Sequence, residues 1–137
     1  MFHTIIIVGN VGKDPVKGNT PSGQTYTVFS VATHRQYTTG SGEQVKETIW
    51  FRITTWDKQA EICSQYVRKG AKVLIEGRLM PDKATGGPRI FNKQDGSVGS
   101  AFEVTAGTVR FLSSRGDGGE GPGIEDVEIP GIEEPIN

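Results

Sequence analysis

Residues 47–57 read "ETIWFRITTWD" and hold both tryptophans of the chain, Trp50 and Trp56, six positions apart. The run is rich in β-branched and aromatic residues and free of Gly and Pro, which is the composition of a strand. Strand side chains alternate between faces with period two, so Trp50, Arg52, Thr54 and Trp56 share one face while Phe51 and Ile53 share the other. If Phe51 and Ile53 line the core, the tryptophan face looks outward. Leaving half of a 150–250 Å2 aromatic side chain in water forgoes roughly 2–3 kcal/mol at about 25 cal/mol per Å2. A pair of exposed indoles with a cation between them suits a ligand that stacks and carries negative charge. Unpaired nucleotides do both, and base–aromatic stacking tolerates any base. The competing reading makes the tryptophans core or subunit-interface residues and Phe51 the exposed ring. Two features weigh against it. Tyr26, Tyr37 and Phe91 add further rings. Lys13, Arg35, Lys46, Lys58, Arg78, Lys83 and Arg89 spread positive charge through the same region. Basic residues interleaved with aromatics are the pattern of a nucleic-acid surface.

Other chemistry is poorly supported. "IIIVGNVGKD" imitates a phosphate-binding loop, but the motif needs a hydroxyl residue after the lysine and a helix beyond it. Here Asp14 follows Lys13, and "DPVKGNTPSG" is no helix. His3 and His34 lack acid or cysteine partners at metal-ligand spacing. Cys63 has no disulfide partner in the chain and falls on an apolar helical face, as a packed core thiol does. No nucleophile–base arrangement can be argued, and the carboxylate pair Glu133–Glu134 sits in a tail that cannot preorganise catalysis. The chain is expected to be no enzyme and to need no metal or cofactor.

The elements that must hold the tryptophan face follow from the pattern. "TIIIV" at residues 4–8 is an apolar strand, "NTPSGQ" a turn, and "TYTVFSVATHRQY" a long strand with Phe29 and Val31 on one face. "TTGSGEQ" reads as a flexible loop before the tryptophan strand at 46–56. A helix is expected over 58–69, capped by Asp57, with Ile62, Cys63, Tyr66 and Val67 on one face and Gly70 at its end. "KVLIEGRLM" is a strand with a bulge at Gly77. Residues 82–100 form a polar, Gly-rich excursion, and "AFEVTAGTVRFL" is the last strand. Five strands with one helix between the third and fourth suit an all-β fold, a five-stranded OB-type Greek-key barrel. A two-sheet sandwich is the alternative, although sandwiches usually lack a helix there.

The net charge of −1 conceals an asymmetry. Residues 1–112 carry 14 Lys+Arg against 9 Asp+Glu, or +5, and residues 113–137 carry 1 against 7, or −6. The tail also holds six Gly and three Pro, so it buries too little apolar surface to offset chain entropy. It is expected to be a disordered acidic appendage to a domain spanning 1–112. No basic region precedes a long apolar segment at the start, so neither a signal peptide nor a membrane helix is expected. Together with the single cysteine, this points to the cytoplasm.

Four blocks, "IIIVGNVGKDP", "PSGQTYTVFSVAT", "ETIWFRITTWDKQAE" and "YVRKGAKVLIEGRL", resemble in order and spacing the bacterial single-stranded DNA-binding protein family, over about residues 3–112. The resemblance implies an OB fold, a homotetramer and sequence-independent wrapping of single-stranded DNA. It further implies service in replication, recombination and repair on the nucleoid, with a tail that recruits other proteins. Carried over by position, Trp50, Trp56 and Tyr37 match stacking positions. Arg35, Arg52, Lys58, Lys72 and Lys83 fall where phosphate contacts are expected. The family's fourth aromatic would fall at Ala84, which cannot stack, and Phe91 or Tyr26 is the substitute. The tail ends "EDVEIPGIEEPIN" and lacks the terminal Phe of the family pattern. Its candidate anchors are Ile129-Pro130 and the end of the chain, Glu133, Glu134, Pro135, Ile136 and Asn137.

Overall fold

The computed structural model of the chain describes residues 1–112. Seven strands and one helix follow in order: β1 (Ile5–Val11), β2 (Val16–Asn19), β3 (Thr25–Thr38), β4 (Gln44–Trp56), α1 (Asp57–Tyr66), β5 (Lys72–Met80), β6 (Arg89–Asn92) and β7 (Val98–Phe111). Five of them close a barrel in the order β1-β5-β7-β4-β3, and β3 returns to β1 through Asn10↔Ala32 and Val11↔Val31. The β4–β7 pair is parallel and the other barrel pairs are antiparallel. Closure leaves the barrel strands no open edge to template aggregation. The expected five-stranded OB-type barrel is the one found, and β2 and β6 are short strands laid beside β3 and β7.

Alternation along each strand fills the interior. Ile7 and Val11 of β1, Phe29 and Val31 of β3, Ile53 of β4, Val73 and Ile75 of β5, and Val104 and Val109 of β7 form one buried cluster with Cys63 and Val67. Helix α1 packs against β2, β3 and β4. Its Ala60 carbonyl accepts the buried Thr27 hydroxyl at 2.7 Å. Burial pushes the Cys63 thiol up to about 12, outweighing a hydrogen bond with Thr55. This core thiol therefore stays protonated at neutral pH.

The helix is shorter than expected and begins differently. Trp56 occupies its N-cap with no side-chain cap bond. Asp57 sits inside at φ 55, and its carboxylate accepts a bond from the Gln24 amide at 3.3 Å instead of capping. At the other end Val67 is already extended and fully buried. The chain leaves the helix to deliver Val67 to the core. The Arg68 guanidinium covers the released carbonyls of Ser64 and Val67 at 3.3 and 2.7 Å. Gly70, at φ 89, then donates to the Val11 carbonyl and turns the chain into β5.

Three segments to which the sequence pattern assigns neither strand nor helix are ordered further. "DPVKGN" supplies β2. The loop after β3 narrows to residues 39–43 between two strands that run to its edge, closed by Thr39 N–H to the Glu43 carbonyl at 2.9 Å. Within 82–100, β6 pairs with the start of β7 as a hairpin, Arg89↔Ala101 to Asn92↔Val98. Its turn is tied by Asp95, whose carboxylate accepts from the Ser97 amide and hydroxyl at 2.9 and 2.7 Å. Those bonds hold the Asp95 carboxyl below its ordinary range. A four-residue strand is too short to show a period in sequence.

The bulge at Gly77 is present: β5 slips against β7 between Glu76 and Gly77. A Cβ at Gly77 would run into the Thr105 carbonyl oxygen. Because that obstacle is backbone, Gly77→Ala should lower stability by about 1–3 kcal/mol, the usual cost of overpacking. Denaturant unfolding reads this directly, and a variant as stable as the parent would show that β5 and β7 need no such close approach.

Candidate nucleic-acid interface

Strands β3 and β4 pair from Tyr26↔Trp56 to Thr38↔Gln44 without a slip. Residues directly opposite in a ladder share a face. Trp50, Arg52, Thr54 and Trp56 therefore stand beside Ala32, Ser30, Val28 and Tyr26, and the expected tryptophan face exists. Phe51 is half-buried and Ile53 and Thr55 are buried on the opposite side. The reading that buries both indoles in the core is not what the strand adopts.

The two indoles are held differently. Trp50 is 53 % exposed, and its ring lies over Gly12, where a Cβ would come within 2.6 Å of Trp50 Cζ3. Gly12 is itself fixed by its N–H to the Ser30 carbonyl at 2.9 Å. The ring thus rests on backbone while half of it faces water. Trp56 is half-buried and packs edge-on against Tyr26, with ring centroids 5.8 Å apart. Tyr26 in turn lies over Gly18 of β2. Tyr26, one of two candidates to replace the ring missing at Ala84, thus supports Trp56.

The tryptophan face continues across β7 onto β6. In the parallel pair Glu103 lies opposite Arg52 and Thr105 opposite Thr54. In the hairpin Arg89 lies opposite Ala101 and Phe91 opposite Gly99. Alternation along β7 then puts Phe91, Arg89 and Glu103 on the face of Trp50 and Arg52. The Phe91 ring covers Gly99, whose missing side chain makes room for it, and the Arg89 guanidinium stands 5.4 Å from the ring centroid. Glu103 Oε2 lies 2.9 Å from Arg89 Nη1 and 3.8 Å from Arg52 Nε. Three exposed or half-exposed rings, two arginines and one carboxylate thus share a continuous outward surface.

The remaining expected residues are placed elsewhere. Arg35 and Tyr37 pair with Glu47 and Val45, one position out of phase with Trp50, so they project from the opposite face of the β3–β4 ribbon. There Arg35 stacks on the Tyr37 ring at 4.9 Å and pairs with Glu47 at 3.6 Å. Lys58 is exposed at the start of α1, and Lys72 is half-buried opposite Asn10 at the start of β5. Lys83 is exposed between β5 and β6, beside an Asp82 turn that takes the Ala84 N–H at 2.9 Å. The tail candidates Ile129, Pro130, Glu133, Glu134, Pro135, Ile136 and Asn137 lie outside the described residues. Arg89 is among the basic residues read from sequence, whereas Glu103 and its pairing with Arg89 are not. The alternation of "AFEVTAG" puts Glu103 outward, but nothing local sets it beside Arg52, fifty-one positions earlier. Among the described residues no three His, Cys, Asp or Glu side chains gather to hold a metal ion, and no helix is long and apolar enough to cross a membrane.

A model of the single-strand binding protein family matches residues 2–112. The single-stranded DNA-binding protein of Neisseria meningitidis serogroup A is 33% identical over 125 residues, covering 91% of this chain and 68% of its own. Single-stranded DNA-binding protein 1 of Chlorobaculum tepidum is 34% identical over 122 residues, covering 86% and 69%. Among solved structures, the Plasmodium falciparum SSB complex with ssDNA superposes with a TM-score of 0.64 at 22% identity, covering 82% of this chain and 96% of that one. The small single-stranded DNA-binding protein of Streptomyces coelicolor gives 0.65 at 22% identity, covering 83% and 97%. At those identities the structural likeness speaks to the fold.

Proposed function

The chain belongs to the single-strand binding protein family, and from that premise we propose that residues 1–112 bind single-stranded DNA without regard to sequence. Bases stack on Trp50, Trp56 and Phe91, and phosphates are drawn to Arg52 and Arg89. Arg35, Lys58, Lys72 and Lys83 extend the phosphate path beyond the aromatic face, and Tyr37 offers a stacking ring on the far side of the β3–β4 ribbon. The observation that carries this reading is the single outward face on which Trp50, Arg52, Arg89 and Phe91 lie together. Stacking needs no base-edge contacts, so affinity without sequence preference is its natural result. The protein acts by binding rather than catalysis, in the bacterial cytoplasm on the nucleoid. It protects the strands exposed during replication, recombination and repair.

Titration with dT oligomers tests this reading. Indole fluorescence should be quenched by single strands and much less by duplex. Trp50→Ala and Phe91→Ala should each weaken binding by about 1–3 kcal/mol, the range for a lost stacking partner. Trp56→Ala should lose a similar amount and some stability as well, because its ring also packs on Tyr26. A set of folded variants that bind as tightly as the parent would turn the indoles into a protein interface instead.

The proposed assembly is a homotetramer. Ile6 and Val8 are 62 % and 44 % exposed on the outward face of β1, an apolar surface that a second copy can cover. Native mass spectrometry should find four subunits, and Ile6→Glu with Val8→Glu should break them apart. A monomeric parent protein would remove this part of the proposal.

We further propose that residues 113–137 are an acidic tail that recruits replication and repair proteins. Of its two candidate anchors, Pro135-Ile136 directly follows Glu133 and Glu134, two charges that an Arg or Lys pocket can grip. A pull-down with the Ile136→Ala protein should lose partners that the intact chain retains. If they persist and disappear on Ile129→Ala, the address is the inner one.

A further inference from the structure

On the proposed DNA face, the two arginines that flank the rings are not open to solvent ions alone. Glu103 Oε2 is 2.9 Å from Arg89 and 3.8 Å from Arg52. The Glu103 side chain is 23% exposed, against 50% for Arg52 and 46% for Arg89, so the carboxylate sits lower on the surface than the guanidiniums it serves. Strand pairing fixes it there. Its backbone lies between Arg52 of β4 and Met80 of β5, both through barrel ladders. The same carboxylate restrains Arg89, which stands over the Phe91 ring. A chain that only had to attract phosphates would gain by leaving both arginines uncompensated.

We propose that Glu103 is a built-in competitor for phosphate, which holds Arg52 and Arg89 ready on the aromatic face while limiting how strongly they bind DNA. This inference rests on the single-strand reading above. With the carboxylate in place the three groups carry one net positive charge instead of two. A phosphate approaching Arg89 must share that guanidinium with Glu103 or displace it. The face then relies more on stacking and less on counterion release, so affinity varies less with salt. Bound strands can also leave more readily, because a carboxylate stands by to take each arginine back.

The test compares dT-oligomer binding by the parent protein and Glu103→Gln over a range of salt concentrations. Glutamine keeps the length and an oxygen that can accept from Arg89, and it removes the charge. The variant should bind about two- to fivefold tighter at low salt, the factor associated with an exposed ion pair. Its log–log salt dependence should steepen by about 0.7, the slope for one additional neutralised phosphate on a single strand. The advantage should vanish at high salt. Arg89→Gln should cost more binding in the Glu103→Gln background than in the parent, because only there is Arg89 uncompensated. Should Glu103→Gln fail to fold, Glu103→Asp draws the charge back by one methylene and should shift affinity and slope in the same direction by less. Weaker binding of Glu103→Gln at every salt concentration, or an unchanged slope, overturns the inference, since Glu103 would then only position the arginines. A parent protein that does not bind single strands overturns the functional reading and this inference with it.

Discussion

Thirteen consecutive residue pairs join β3 to β4, from Tyr26↔Trp56 to Thr38↔Gln44, with no bulge between them. In such a ladder every side chain's face is settled by one register, and a slip of a single residue would exchange the two faces. The buried side pins that register. Phe29, Val31 and Ile53 sit in the barrel interior, and Thr27 reaches from the same side to the Ala60 carbonyl. Moving them outward would expose several large apolar side chains at roughly 1.5–3 kcal/mol each. The outward placement of Trp50, Arg52 and Trp56 follows from that core, and it is held more firmly than their own contacts could hold it.

Along the β3–β4 ribbon the same alternation divides the charged residues. Arg35, Tyr37 and Glu47 form a small cluster on one side. Arg52 meets Glu103 and Arg89 on the other. Positive charge counted along the chain therefore overstates what any one surface presents, since both clusters pair an arginine with a carboxylate. The rings are treated alike in both places: Arg35 covers Tyr37 and Arg89 covers Phe91. A guanidinium over an aromatic face is favourable in itself, and it sets a cation beside a ring that a base can stack on.

Glycines without side chains shape the binding face as much as its aromatics do. Gly12 gives Trp50 a backbone floor, Gly18 does so for Tyr26 and Gly99 for Phe91. A Cβ at Gly12 or Gly18 would push the ring from its seat, and one at Gly99 would crowd Phe91 and Lys93. Half-exposed aromatics would otherwise rotate freely, and ordering them on binding would cost side-chain entropy. Rings already seated on backbone lose less.

Much of this architecture is legible in the sequence because it rests on local periodicity. Alternation in "TIWFRITTW" assigns the inner and outer faces of β4, the turn residues of "NTPSGQ" separate two strands, and Gly77 marks the bulge. The acidic character of 113–137 is compositional and needs no fold. Other features depend on contacts between segments far apart in the chain. The parallel pairing of β7 with β4 brings Glu103 to Arg52, and the β6–β7 hairpin carries Phe91 onto the tryptophan face. The same ladder count removes Arg35 and Tyr37 from that face. Helix α1 stops early because Val67 is needed in the core, and Asp57 turns to Gln24 instead of capping. Side-chain direction within a strand is a local property of an extended backbone, so the sequence determined it unaided. Which strand lies alongside, and which charge therefore meets which, is set by barrel closure, a long-range constraint that no local pattern encodes.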